Sequence, residues 1–162
     1  MAKDLSVYSF GLFPFFEHSA TLVKSSLLEL YEVYLIPLGV ELRPSLRPLV
    51  LSIIPGLEEE SSEYFAKVYE VLNRIKIAAG EGEFYEALWT SLLISPRHRL
   101  AIVNYLLKTI PVGLSNEELS EICIKNKQLV ARALSSALQD RQQLVARGCL
   151  DVILKHFSLN RK

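Results

Sequence analysis

The stretch YEVYLIPLGVELRPSLRPLVLSIIPGLEEESSE, Tyr31 to Glu63, decides how the fold is read. It is strongly apolar, yet Pro37, Gly39, Pro44, Pro48, Pro55 and Gly56 cut it into short lengths. Proline removes an amide donor and crowds the preceding turn, and glycine accepts backbone conformations that end a helix. On either side, apolar helical blocks follow one another between similar short seams. This is the pattern of stacked helical hairpins, an architecture that offers long binding surfaces.

Upstream, Val23, Leu27, Leu30 and Tyr34 recur at helical spacing between Ala20 and Ile36, flanked by Leu28, Tyr31 and Leu35. The resulting face is wide enough to pack on two neighbours. Pro37 and Gly39 end that helix, and the next is expected from about Pro44 to Ile54, with Pro48 tolerated only in its first turn. Pro55-Gly56 makes a turn. Glu58, Glu59 and Glu60 then read as the start of a helix running to about Ala79, with Phe65, Val68, Leu72 and Ile75 inward and Gly80 and Gly82 closing it.

Phe84 to Ile94 reads as a short apolar helix carrying Trp89. Ser95 as N-cap and Pro96 at the first helical position start another, with Leu100, Val103, Leu106, Leu107 and Ile110 as its stripe. Ser115 and Glu118 have capping-box spacing and predict a short helix to about Lys125. Gln128 to Gln139 and Leu144 to Phe157 form a last pair around a tight turn at Asp140 to Gln142. Alternating strand patterns are absent. The reading is therefore all-α, one domain over 1–162, with roughly eight helices in antiparallel pairs recurring at roughly 40 residues, as in right-handed HEAT or armadillo solenoids. In such repeats a turn aspartate caps the second helix and bonds a basic residue of a neighbour. Asp140 is the candidate, with Arg147 as the nearby base.

Half of the residues are hydrophobic and the formal net charge is zero. The charge is split: residues 1–90 carry 7 Lys/Arg and 13 Asp/Glu, and residues 91–162 carry 11 and 5. Arg132, Arg141, Arg147 and Lys155 make the C-terminal third basic and are the candidate interaction residues; ordinary solvation ranks first for them, then an acidic protein or anionic lipid surface, then RNA. Aromatic residues do not interleave with them, so stacking on single-stranded nucleic acid has no support.

Catalytic patterns are missing. The glutamates at 58–60 and 63 point around a helix without His or Asp company, Asp151 and His156 fall on different faces, and His98 reads as a solvated first turn. Phosphate-loop motifs are absent. Cys123 and Cys149 have no metal or disulfide spacing and read as small apolar residues in a reducing compartment. Gly148, inside a helix, marks close packing on a neighbour. No apolar run reaches the length of about 18 residues that a membrane span needs. Leu5 to Phe16, diluted by Ser6, Ser9 and Pro14 and preceded by Asp4, reads as a packed helix rather than a signal peptide.

Five ordered blocks carry a resemblance: LSVYSFGLFP (Leu5 to Pro14), LYEVYLIPLG (Leu30 to Gly39), PGLEEESSEY (Pro55 to Tyr64), ALWTSLLISP (Ala87 to Pro96) and LVARGCLDVIL (Leu144 to Leu154). Together they resemble the N-terminal domain of the Dopey family over nearly the whole chain. The resemblance implies a non-enzymatic scaffold in vesicle-mediated protein transport between endosomes and Golgi. It also implies a cytosolic protein peripheral to those membranes, with a large Arf-exchange-factor-related scaffold as partner. No catalytic, cofactor-binding or metal-ligating residue is implied, and no nucleic acid is expected. In extent, the chain is expected to be part of that domain, without the family's long central and leucine-rich C-terminal regions. A fragment, a partial gene model and a short isoform all fit. A basic solenoid binding anionic lipid or RNA is the alternative reading.

Overall fold

The structure is a computed structural model and describes residues 21–112, 117 and 126–157. Among these residues every regular element is helical. The expected packed segment Leu5–Phe16, the capping box at Ser115–Glu118 with its short helix, and Cys123 lie outside the described residues.

Helix α1 spans Thr21–Leu30 and continues as a π-helical turn, Tyr31–Leu35. A 3-10 stretch, Ile36–Ser45, follows and is broken at Gly39, whose φ of 57° and ψ of −126° suit only glycine. Helix α2 spans Leu46–Ile53 with Pro48 in its first turn, as its missing amide requires. A 3-10 turn, Ile54–Leu57, leads on.

The glutamates do not start a helix. Residues 58–64 form turns, and α3 begins only at Phe65, running to Ala79. The physical reason is the burial of Leu57, which is fully covered, and the hold on its carbonyl by Asn104 Nδ2 at 2.9 Å. The chain is drawn inward there and needs a wide turn before it can leave as a helix. Gly80 alone closes α3, with φ 105°, while Arg43 Nε caps the Ala79 carbonyl at 2.8 Å. Helix α4, Glu81–Ile94, takes Gly82 into its first turn rather than leaving it in the link.

Ser95 and Pro96 do start the next block, through a 3-10 turn, Pro96–His98, that precedes α5, Arg99–Thr109. The Ser95 hydroxyl, however, meets His98 Nδ1 at 2.8 Å instead of capping a backbone amide. The stripe expected on α5 is broader than one face: Ala101, Ile102 and Tyr105 are buried together with Val103, Leu106 and Ile110. Helix α6 is Lys127–Leu138, capped by Asn126, whose Oδ1 accepts from the Leu129 amide at 3.0 Å. Helix α7 is Gln143–His156.

Helices two apart in the chain pack together. Helix α4 lies between α2 and α6, and α5 lies between the Ile54–Leu57 turn and α7. Short links fold α4 back on α5 and α6 back on α7. Helix α3 packs on the 36–45 stretch, the 54–57 turn and α4. The core therefore runs between two rows of helices, with Trp89, Tyr85, Phe84 and Tyr105 as its bulkiest members alongside Tyr31 of the first turn.

Candidate functional site

Two polar arrangements join distant elements, one buried around Arg99 and one at the surface around Glu32, and both use cations whose role depends on tertiary packing. Arg99, only 8% exposed, donates to the Leu92 carbonyl at 2.9 Å, the Leu93 carbonyl at 3.2 Å, Ser136 Oγ at 2.6 Å and Asp140 Oδ2 at 2.6 Å. Asp140 also accepts the Gln142 amide at 2.9 Å. The Gln142 amide first, and then the Arg99 guanidinium, hold its carboxyl below the usual carboxylate range. Asp140 thus bonds a basic residue of the preceding hairpin, Arg99, as expected of it, but it accepts the amide of Gln142 just before α7 and caps no amide within that helix. Arg147 is exposed and takes no part.

In the first half, Glu32 accepts both Lys67 Nζ and Arg74 Nη1 at 2.6 Å. The Lys67 bond is the main reason its carboxyl is held low. These contacts are structural. No group of three or more His, Cys, Asp or Glu side chains that could hold a metal occurs among the described residues. A cleft of about 210 Å³ between α1 and the 58–64 turns is lined by Lys24, Glu58, Glu59, Ser62 and Tyr64. Lys24 Nζ lies 5.7 Å from the Tyr64 ring centroid. The cleft holds both signs of charge and brings no nucleophile beside a base. Asp151 is half-buried and His156 is buried on the core side of α7, so the two form no dyad. Cys149 is buried, and burial pushes its thiol up to about 11, which leaves it unreactive.

What the molecule presents outward is helix face. On α7, Val145, Cys149, Val152 and His156 form the buried stripe. The opposite stripe, Gln143, Arg147, Leu150 and Leu154, repeats the same spacing and faces solvent, with Leu150 50% and Leu154 72% exposed. Leu144 and Lys155 are exposed at its margin and Asp151 lies between. At the other end of the chain, Val23, Leu30 and Tyr34 of the expected stripe are also exposed, and only Leu27 is covered.

The candidate residues Arg132, Arg141, Arg147 and Lys155 are all exposed. Arg132 is on α6, Arg141 in the following turn, and Arg147 and Lys155 two turns apart on α7. They form a band over one hairpin rather than a pocket. None of them pairs with a carboxylate among the described residues, whereas Arg43, Lys67, Arg74 and Lys76 in the first half each face one. Reading charge by residue type identified the cations. It missed the leucines between them, Leu150 and Leu154, whose signal was a second apolar pair in α7 at i and i+4.

Two rows of helices with exposed helix faces define, over the described residues, an all-helical protein. The chain belongs to the Dopey family: the family model for "Dopey, N-terminal" matches residues 1–162. It is a family of trafficking-related proteins and not an enzyme family. The chain is 38% identical to Protein DOP1B of Xenopus laevis over 160 residues, covering 99% of this chain and 7% of that protein. It is 38% identical to Protein DOP1B of Mus musculus over 157 residues, covering 97% and 7%. To the Protein DOP1 homolog of Drosophila melanogaster it is 32% identical over 154 residues, covering 95% and 6%. The chain thus spans about 7% of the length of these relatives. No solved structure matches it.

Proposed function

We propose that this chain is a non-enzymatic scaffold segment in vesicle-mediated protein transport between endosomes and Golgi. It acts in the cytosol at the surface of those membranes through contacts along its helix faces. The packing of α2 on α4, α4 on α6 and α5 on α7 supports a right-handed HEAT/armadillo-like solenoid, which turns single helix faces into extended binding surface. The observation that carries the reading is the outward stripe of α7. Exposed Leu150 and Leu154 alternate with Arg147, a pattern that supplies apolar burial at the centre of a contact and charge at its edge.

Family membership makes a large Arf-exchange-factor-related scaffold the partner to test. Tagged chain and its Leu154→Glu variant are expressed in cells and purified by affinity. Recovery of that scaffold by the parent chain and its loss with the variant support the reading. Equal recovery with both removes the α7 stripe from the contact.

A second reading draws on the unpaired cations: the hairpin attracts anionic lipid or RNA. Binding to phosphatidylserine vesicles or to an RNA oligomer would then weaken steeply with salt and disappear on reversing Arg132, Arg141 and Arg147. Binding unchanged by those reversals sinks it. Asp151 on the exposed side of α7 opposes contact with an anionic surface, which ranks this reading second.

A further inference from the structure

The link between α4 and α5 holds Ser95-Pro96, the only place in the chain where a serine or threonine precedes a proline. Ser95 belongs to neither helix. Its backbone is extended, with φ −123° and ψ 78°, because the ring of the following proline crowds helical geometry there. Ser95 is half-buried, while Ile94 before it is 56% exposed and Pro96 and Arg97 after it are exposed.

The hydroxyl caps no backbone amide and meets His98 Nδ1 at 2.8 Å instead. The main chain around it is anchored. The Ser95 amide donates to the Ser91 carbonyl at 2.9 Å and the His98 amide to the Ser95 carbonyl at 3.1 Å. Arg99 grips the Leu92 and Leu93 carbonyls. Two fixed helix ends therefore present the serine in one extended shape.

An extended serine followed by proline is the substrate shape of a proline-directed protein kinase. A pocket that accepts proline has no amide to satisfy at that position, and any other residue would leave a donor buried without a partner. A phosphate on Ser95 would also meet favourable charge, from His98, from Arg97 and from the start of α5.

We propose that Ser95 is a phosphorylation site for a proline-directed kinase, and that His98 and Arg97 hold the phosphate in the link. Ser95 Oγ forms a bond to the γ-phosphorus of a nucleoside triphosphate held by the kinase. The bond from that phosphorus to the bridging oxygen breaks, the nucleoside diphosphate leaves, and the hydroxyl proton passes to the kinase's base. The product carries a charge of about −1.5 to −2. Arg99 ties this link to Asp140, so the new charge arises where two hairpins join, next to the turn that carries Arg141.

The purified chain is incubated with a cyclin-dependent or a mitogen-activated protein kinase, ATP and magnesium. Ser95→Ala, Pro96→Ala and a synthetic peptide of residues 89–101 are treated in parallel. Circular dichroism spectra matching the parent establish that each variant is folded. Intact mass counts the phosphates and fragmentation places them. The parent should gain one phosphate, at Ser95, and the gain should be lost in both variants. The same phosphopeptide should be recovered from the tagged chain expressed in dividing or in resting cells.

A peptide that is phosphorylated while the folded chain is not overturns the proposal, because the link is then closed in the fold. So does a phosphate placed elsewhere, a Pro96→Ala variant modified as fast as the parent, or absence of the phosphopeptide from both kinds of cell. The phosphorylated chain should melt above the unmodified one at low salt, with the gain reduced by added salt and by His98→Ala. A melting temperature unchanged or lowered by the phosphate overturns the role given to His98 and Arg97.

Discussion

Arg99 and His156 show how much a single buried group depends on its surroundings. Arg99 spends its donors on two carbonyls, a hydroxyl and Asp140, with the two charged side chains only 9% and 12% exposed. Removing one member of such a pair leaves the other uncompensated, so Arg99→Ala should lower the stability of the fold by about 3 kcal/mol in chemical denaturation. Arg99→Lys should recover little of it, because an ammonium group lacks the planar fork that reaches several acceptors. Asp140 is held below its ordinary value of 3.8, so its contribution is present above that pH and is lost as acid protonates it. Asp140→Asn should flatten the fall in melting temperature below about pH 4.

His156 acts at a different pH. It is 4% exposed, and neither ring nitrogen has a hydrogen-bond partner of good geometry among the described residues. Burial is the main cause that lowers its pKa, Lys155 adds to the shift, and the Pro111 backbone opposes it. The unfolded chain then takes up a proton near 6.5 that the folded chain resists, so stability falls as pH drops below that value. Melting temperatures of His156→Phe should show a weaker dependence between about pH 5 and about pH 6.5 than the parent. An unchanged slope would mean that this histidine does not carry the effect.

At the level of elements, the contact of α5 with α7 is set by the absence of a side chain. A Cβ at Gly148 would come within 2.6 Å of Val103 Cγ1. Alanine gains about 1 kcal/mol in helix propensity over glycine. Valine is stiff at its first torsion and cannot swing aside, so the clash should outweigh that gain at about 1–3 kcal/mol. Gly148→Ala is expected to destabilise the chain by urea titration, and the Gly148→Ala/Val103→Ala pair to be less destabilised than the separate effects predict. Strict additivity would show that the two helices do not meet there. The glycine was legible in the sequence as a mark of close packing, but its partner was not, because Val103 is 45 residues away and is brought near only by the pairing of two hairpins.

Over the whole molecule, protection should follow position in the rows. Among the described residues, helix α5 is covered on nearly every side, whereas α6 and α7 pack on one neighbouring hairpin and leave other faces exposed. Helices with fewer covering neighbours open first. Hydrogen exchange read by mass spectrometry should therefore be faster in peptides from 127–156 than in those from 65–109. Equal protection in the two regions would mean that the array opens only as one body.

The sequence by itself determined the helices, most of their seams and the family. These depend on neighbours along the chain: apolar spacing, proline and glycine placement, and ordered local blocks. It misplaced the start of α3 because three glutamates look like a helix start wherever they occur, while the burial of Leu57 and the grip of Asn104 on its carbonyl belong to distant packing. It located four cations and led Asp140 to a basic residue of a neighbour, but it could not name Arg99, which is near only in space. The outward stripes of α1 and α7 were likewise decided by tertiary structure. An apolar residue at helical spacing reads as core until the fold shows whether another helix covers it.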